Sequence, residues 1–140
     1  MHQNKDEIKK LAELLKDAKF VMLTTLDEDG ALRSRPMTFQ EMEFDGNLWF
    51  FTSKSTTQAE DITRRNQVNI SLSQPEKSVY LSLTGTAELV DDKEKAKELW
   101  KPTLKAWFPK GVKDPDLTLI KASIESAELW QSPSSQLVQA

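Results

Sequence analysis

Apolar positions change from helical to strand spacing near the N-terminus. Ile8, Leu11 and Leu15 recur at intervals of three or four residues between lysines and acids, which predicts an amphipathic helix over 6–18. The run FVMLTTL at 20–26 is short, rich in β-formers and mostly apolar. It predicts a strand that is buried on both faces.

Turn signals then divide the chain into further strands. The sequence DEDG at 27–30 predicts a hairpin into a strand over 31–44. Asp45 and Gly46 turn the chain again, into a third strand over 47–52. The first half is therefore predicted to be a β-meander.

Three further strands are predicted in the second half. QVNISLS at 67–73 alternates apolar and polar residues, which predicts a half-buried strand. QPEK at 74–77 turns the chain into a long strand over 78–90, and a last strand is predicted over 118–131. Gly85 lies inside the second of these strands and predicts a bulge or bend, because an interior glycine marks an irregular position.

Further helices are predicted from capping residues. Ser55 and Gln58 have the spacing of a capping box, which predicts a helix directly after the third strand. Asp91 or Asp92 caps another helix, and Pro102 begins a short one. About six mostly hairpin-connected strands with three or four helices predict a mainly β fold, α+β by content, with an antiparallel barrel.

Length and composition predict one domain over residues 1–140, with a helix in 1–19 and a loose polar tail at 132–140. The net charge of −3 disfavours nucleic acid as the main partner. No cysteine is present, and His2 is the one histidine, so thiolate, histidine-based and metal chemistry are not expected. No signal peptide or membrane-spanning run is visible, which favours the cytoplasm.

The strand RSRPM carries candidate anion ligands. Arg33 and Arg35 are two residues apart and therefore face the same way, as a clamp for phosphate or carboxylate would require. Pro36 cannot donate to a strand ladder and predicts an edge or bulge. The alternative is a solvated strand face with surface arginines.

The start of the helix after the third strand is a second candidate. A helix N-terminus has unpaired amides and a partial positive charge, so it can hold a phosphate. Simple capping is the alternative. Hydroxyl and ammonium groups at this corner come from Thr52, Ser53, Lys54, Ser55, Thr56 and Thr57.

The four tryptophans divide by position. Trp49 and Trp100 are predicted core residues. Trp107 and Trp130 lie near element ends, where an aromatic ring stacks on a flat ligand, fills an interface or packs within its own subunit.

Four segments together resemble the pyridoxamine 5′-phosphate oxidase-like flavin-binding split barrels, and within them the general stress protein 26 branch. These are RSRPM at 33–37, LWFFTSKS at 48–55, AWFPKGVKDPDLTLIK at 106–121 and AELWQ at 127–131. Their order and spacing cover nearly the whole chain, and the tryptophan-phenylalanine-proline string is the most specific of them.

The resemblance implies a six-stranded antiparallel split barrel with Greek-key character, and a homodimer that holds FMN at its interface. FAD is an alternative cofactor, as are a deazaflavin and haem, although the terminal histidine weighs against haem. Trp107 and Trp130 would reach the flavin from the other subunit. The implied cofactor-binding residues are Arg33, Ser34, Arg35, Pro36, Met37, Phe51, Thr52, Ser53, Lys54, Thr57, Gln58, Tyr80, Trp107 and Trp130.

Two departures from the family pattern bear on how the phosphate is bound and on which reaction is expected. Gln58 stands where a lysine is usual, so the phosphate would depend on Lys54, Arg33 or Arg35. The tail SPSSQLVQA has no arginine, lysine or histidine, which disfavours vitamin B6 oxidation. The sequence thus predicts a flavin-binding protein of the general stress type, with flavin-dependent oxidoreduction of an unknown small molecule as its activity. The alternatives are a non-enzymatic flavin binder or buffer and a cofactor-free dimeric interaction module.

Overall fold

The computed structural model describes residues 5–16, 18, 20–38, 45–131 and 136–139. Three sequence-based predictions concern residues outside these ranges: the position of His2, the second half of the strand over 31–44, and the tail at 132–135. Among the described residues, no helix is long and apolar enough to cross a lipid bilayer.

The described residues form three short α-helices and seven strands. The helices are α1 (Lys5–Lys16), α2 (Thr57–Arg64) and α3 (Lys93–Leu99), and short 3-10 helices span Pro75–Lys77 and Pro102–Ala106. The strands are β1 (Val21–Leu26), β2 (Leu32–Met37), β3 (Asn47–Ser53), β4 (Gln67–Gln74), β5 (Val79–Val90), β6 (Leu117–Gln131) and β7 (Gln136–Gln139).

Six strands form one antiparallel sheet in the order β2-β1-β4-β5-β6-β3, which curls into a half-barrel. The strand β3 follows β2 in the chain but pairs with β6 at the opposite edge, which gives the sheet its Greek-key character. The predicted six-stranded split barrel is therefore confirmed. The seventh strand, β7, pairs with β6, whereas the sequence predicts a loose tail there.

Strand β3 connects two hydrophobic clusters, because its neighbouring rings point to opposite faces. Phe50 is fully buried in the main cluster, with Leu23, Ile70 and Ile120. Phe51 belongs to the second cluster, which contains residues from α3 and the 3-10 helix behind it. Burial on both faces of β3 thus fixes the position of its C-terminal end, where the candidate site begins.

Strand β1 differs from its prediction. Its burial alternates: Val21 and Leu23 are buried, whereas Met22 is 39% exposed. The apolar run therefore marks a strand with one face open, because β-branched and apolar residues are favoured on either face of a sheet.

The start of α2 also differs by one residue. Thr56, not Ser55, is the N-cap, and its hydroxyl oxygen accepts the amide of Ala59 at 3.3 Å. The Ser55 hydroxyl instead donates to Asp116 Oδ2 at 3.0 Å. The helix was predicted at the right place, but the long-range partner of Ser55 moves the cap.

The bulge predicted at Gly85 is present. The pairing of β5 with β6 shifts register between Thr84 and Gly85, with Thr84 opposite Ser126 and Gly85 opposite Ile124. The extra residue on β6 bends the two longest strands of the sheet, as a β-bulge does.

Candidate functional site

A cleft of ≈ 360 Å³ lies beside the N-terminus of α2. The end of β2, the end of β3, the start of α2 and the segment after α3 all contribute to it. No lining side chain is charged, and the volume is in the usual range of small-molecule sites, about 300–1,000 Å³. The lining residues are Phe20, Pro36, Met37, Thr38, Phe51, Thr52, Ser53, Thr56, Gln58, Leu104, Trp107 and Phe108.

One half of the cleft is aromatic. The Phe51 ring is buried, meets Trp100 edge-on at 5.5 Å between centroids, and lies 6.2 Å from the Phe108 ring. The rings of Trp107 and Phe20 are 68% and 54% exposed. A buried aromatic surface that continues into two exposed rings suits a flat, largely apolar ligand.

The other half of the cleft is a chain of hydrogen bonds at the start of α2. The Thr56 hydroxyl donates to the carbonyl oxygen of Ser53 at 2.8 Å, so its single proton is committed. The Thr52 hydroxyl, 3.1 Å away, must therefore donate to Thr56, and it accepts Gln58 Nε2 at 3.1 Å. Gln58 keeps its second amide proton and its carbonyl oxygen for a ligand.

The two candidate arginines lie together on β2, on the core-facing side of the sheet. Arg33 donates through Nε to Asp27 Oδ2 at 3.0 Å. Arg35 donates through Nη1 to Thr25 Oγ1 at 2.9 Å, and its Nη2 is 3.9 Å from Asp61 Oδ2. Both guanidinium groups are thus engaged within the subunit, and neither lines the cleft. Their role as cofactor ligands stays a prediction.

Asp27 fixes Arg33 at the β1–β2 hairpin. Its Oδ1 accepts the amides of Asp29 and Ala31, each at 2.9 Å. The hydrogen bond from Ala31, followed by that from the Arg33 side chain, lowers the pKa of Asp27 from its ordinary value of 3.8. The carboxylate is therefore ionised throughout the neutral range and pairs with Arg33 at the hairpin.

Arg35 is held more deeply. Burial lowers its pKa from the ordinary value of 12.5, and the negative charge of Asp61 opposes that shift. The guanidinium group remains charged, because its ordinary pKa is far above neutral. It links β2 to β1 and α2 through Thr25 and Asp61.

Lys54 and Thr57 do not line the cleft either. The ammonium group of Lys54 is 2.9 Å from Asp91 Oδ2 and borders two smaller recesses. Thr57 is exposed at the first position of α2. The predicted cluster of hydroxyl groups at the start of α2 is therefore present, but the Lys54 ammonium group pairs with the turn between β5 and α3.

Three other predicted residues, Ser34, Tyr80 and Trp130, lie on the outward face of the sheet. Tyr80 is opposite Trp130 across β5 and β6, and the two are 42% and 37% exposed. The hydroxyl groups of Ser34 and Thr24 are 2.6 Å apart. None of the three lines the cleft of its own subunit, and their contact with a cofactor stays a prediction.

The structure thus brings seven of the fourteen implied cofactor-binding residues together and adds five that were not among those fourteen. Those it unites are Pro36, Met37, Phe51, Thr52, Ser53, Gln58 and Trp107; those it adds are Phe20, Thr38, Thr56, Leu104 and Phe108. The hydroxyl-rich corner and the tryptophan-phenylalanine-proline string were signals for Thr56 and Phe108. No local signal marks Phe20, Thr38 or Leu104, which reach the cleft through tertiary packing.

Solved structures with this fold include proteins described as general stress proteins. A general stress FMN/FAD binding protein from Xanthomonas citri is 32% identical, with a TM-score of 0.77 and coverage of 96% of this chain and 95% of that one. A Clostridium acetobutylicum protein related to general stress protein 26 reaches a TM-score of 0.82 at 22% identity, with coverage of 99% and 96%. The second likeness supports the fold.

Sequence comparison gives a fungal relative and a family. Protein bli-3 of Neurospora crassa is 30% identical over an alignment of 131 residues that covers 86% of this chain, and the chain spans 63% of that relative's length. Residues 6–140 match the family described as pyridoxamine 5′-phosphate oxidase like. Because this match covers nearly the whole chain and the fold agrees with it, this chain belongs to the pyridoxamine 5′-phosphate oxidase-like family.

Proposed function

We propose that the protein binds a flavin in this cleft, with FMN as the preferred form. The main observation behind the proposal is that one cleft combines aromatic rings on one side with hydroxyl and amide groups at the N-terminus of α2 on the other. The description of the Xanthomonas citri relative as an FMN/FAD binding protein supports it.

The lining residues fit the parts of the cofactor. A flavin ring is flat and apolar with one polar edge, which suits the Phe51 and Trp107 rings with Gln58 beside them. The backbone amides at the start of α2 suit a phosphate group. One helix N-terminus suits one phosphate, and this favours FMN over FAD.

A bound flavin would supply electron and hydride transfer, so the protein residues would bind, orient and shield it. None of the lining side chains is an acid or base that titrates near neutral pH. The lack of such a group favours a second candidate function, a flavin carrier that does not catalyse a reaction. Bound flavin that neither NADH nor NADPH reduces without oxygen would support the carrier, whereas rapid reduction would support an oxidoreductase.

Replacing Trp107 tests the ring site. We expect Trp107→Ala to weaken FMN about tenfold, which is about 1.4 kcal/mol, because an aromatic stack of about that strength is lost. The side chain is 68% exposed, so the substitution should leave the fold intact. Quenching of flavin fluorescence on titration with protein measures the affinity.

Leu32→Ala is the matched control, since Leu32 is 75% exposed at the other end of β2 from the cleft. Its FMN affinity should equal that of the unsubstituted protein. If the unsubstituted protein leaves flavin fluorescence unchanged, the proposed function is wrong. Equal affinity in the Trp107 and Leu32 variants would place the ring elsewhere.

We also propose that two copies associate through the outward face of the sheet. Central outward positions on four strands have no charged side chain, although 29% of the chain is charged. An uncharged sheet face can pack against its own copy around a two-fold axis. Pro36 belongs to this face and to the cleft, so a second copy would border the cleft. The central positions are Met22, Thr24, Ser34, Pro36, Asn69, Ser71, Ser82 and Thr84.

A charge at the centre of this face should separate the copies. We expect the protein to sediment at twice 16.0 kDa and Ser71→Glu at 16.0 kDa, because two carboxylates would meet near the axis. Asn66→Glu adds the same charge at an exposed site outside the face and should stay dimeric. Sedimentation equilibrium of all three proteins decides the matter, and a dimeric Ser71→Glu variant would exclude this face.

A further inference from the structure

We infer that the segment 101–113 forms a second binding surface, at the mouth of the cleft, for a flat aromatic molecule that carries phosphate groups. This surface extends the proposed function, since it would place a nucleotide next to the bound flavin. The surface shares Trp107 with the aromatic half of the cleft, but its lysines do not line the cleft, so substitutions of the lysines test it separately from the flavin site.

The segment is a basic island in an acidic chain. It contains Lys101, Lys105, Lys110 and Lys113 and no aspartate or glutamate, whereas the whole chain has a net charge of −3. All four lysines are exposed. The rest of the chain has more acidic than basic residues, so an anion would be attracted to this segment more strongly than to the rest of the chain on average.

Three of these lysines form no ion pair with any described carboxylate: Lys105, Lys110 and Lys113. Lys54, by contrast, is paired with Asp91 at 2.9 Å. An ammonium group without a carboxylate partner can bind a phosphate without first breaking an existing contact.

The local backbone places an exposed aromatic ring in the same short segment as these lysines. The amide of Trp107 donates to the carbonyl of Leu104 at 3.0 Å, which closes the 3-10 helix and leaves the Trp107 ring 68% exposed. Gly111, at φ +75°, then returns the chain, and a Cβ added there would lie 3.9 Å from Lys105 Cε. Lys105 and the turn that contains Lys110 thus lie next to each other, in the same short segment as Trp107.

The chemistry of the surface selects its ligand. Exposed tryptophan stacks on flat rings, and ammonium groups bind phosphates as point charges. Trp107 also lines the cleft, so a ring stacked on it would lie at the cleft mouth. Dihydronicotinamide nucleotides combine a ring, phosphates and a chemistry that complements flavin, so NADPH is the first probe.

Neutralising the three unpaired lysines tests the surface. We expect the triple variant Lys105→Gln, Lys110→Gln, Lys113→Gln to bind NADPH at least tenfold more weakly, measured by NADPH fluorescence with and without FMN. Its FMN affinity should change less than threefold, because no lysine lines the cleft. The matched control neutralises Lys9, Lys10 and Lys16, three exposed lysines of α1, and should keep the full NADPH affinity.

Two partial ligands separate the ring from the phosphates. Inorganic pyrophosphate and adenosine should each compete at least tenfold more weakly than NADPH. If pyrophosphate competed as well as NADPH, the surface would be a simple anion site and the inference would be wrong. If adenosine competed equally well, the lysines would not contribute to binding and the inference would also be wrong. Full NADPH affinity in the triple variant would overturn the inference. Because FMN-free protein is titrated as well, failure of FMN to bind leaves this test intact.

Discussion

Gly85→Ala should strongly destabilise this protein, although it adds only a methyl group. A Cβ at Gly85 would overlap the carbonyl oxygen of Ser123 and lie 2.9 Å from its carbonyl carbon and 3.1 Å from Ile124 Cα. All three are backbone atoms of β6, so no side-chain rotation relieves the overlap. We expect a loss of at least about 3 kcal/mol in the free energy of unfolding, or about 10 °C in Tm.

The measurement is chemical denaturation followed by tryptophan fluorescence, with Glu88→Ala as control. Glu88 is exposed on the same strand, so its substitution should change stability by less than about 0.5 kcal/mol. Equal stability of the two variants would mean that β5 and β6 separate at the bulge without cost. The close approach of these strands would then have no part in holding the half-barrel together.

The Gly85 bulge illustrates what a single sequence reveals. The turn signal before the strand over 78–90 and the interior glycine are local signals, and both the strand and its irregularity were predicted from them. Asp92 and Pro102 likewise mark the start of their helices because capping and N-terminal proline are local effects. Predictions of this kind hold because the physical cause lies within a few residues.

Predictions that depend on distant partners were incomplete. The spacing of Arg33 and Arg35 correctly predicted that they share one face of β2. It could not predict which carboxylates pair with them. Asp61, the partner of Arg35, lies on α2, and only the folded chain brings it there. The same limit explains why half of the predicted ligands do not line the cleft of one subunit.

Asp61 is the residue whose removal should most disturb the elements around the cleft. It is 2% exposed on α2, and its Oδ2 accepts the hydroxyl of Thr25 at 3.2 Å. Arg35, whose side chain is 19% exposed, lies 3.9 Å away and also donates to Thr25. Since α2 and β2 both line the cleft, this buried carboxylate connects two of its sides.

We therefore expect Asp61→Ala to lower the free energy of unfolding by about 3 kcal/mol, because the half-buried Arg35 charge loses its carboxylate. The double variant Asp61→Ala with Arg35→Met should be more stable than the sum of the single effects by about 1–2 kcal/mol, since no unpaired charge remains. Arg64→Ala is the control: Arg64 is 43% exposed and 3.8 Å from Asp61, so it should cost at most about 1 kcal/mol. Urea denaturation measures all four free energies. If the Asp61 and Arg35 effects were simply additive, the pair would not act as a unit, and the link between α2 and β2 would depend on hydrophobic contacts alone.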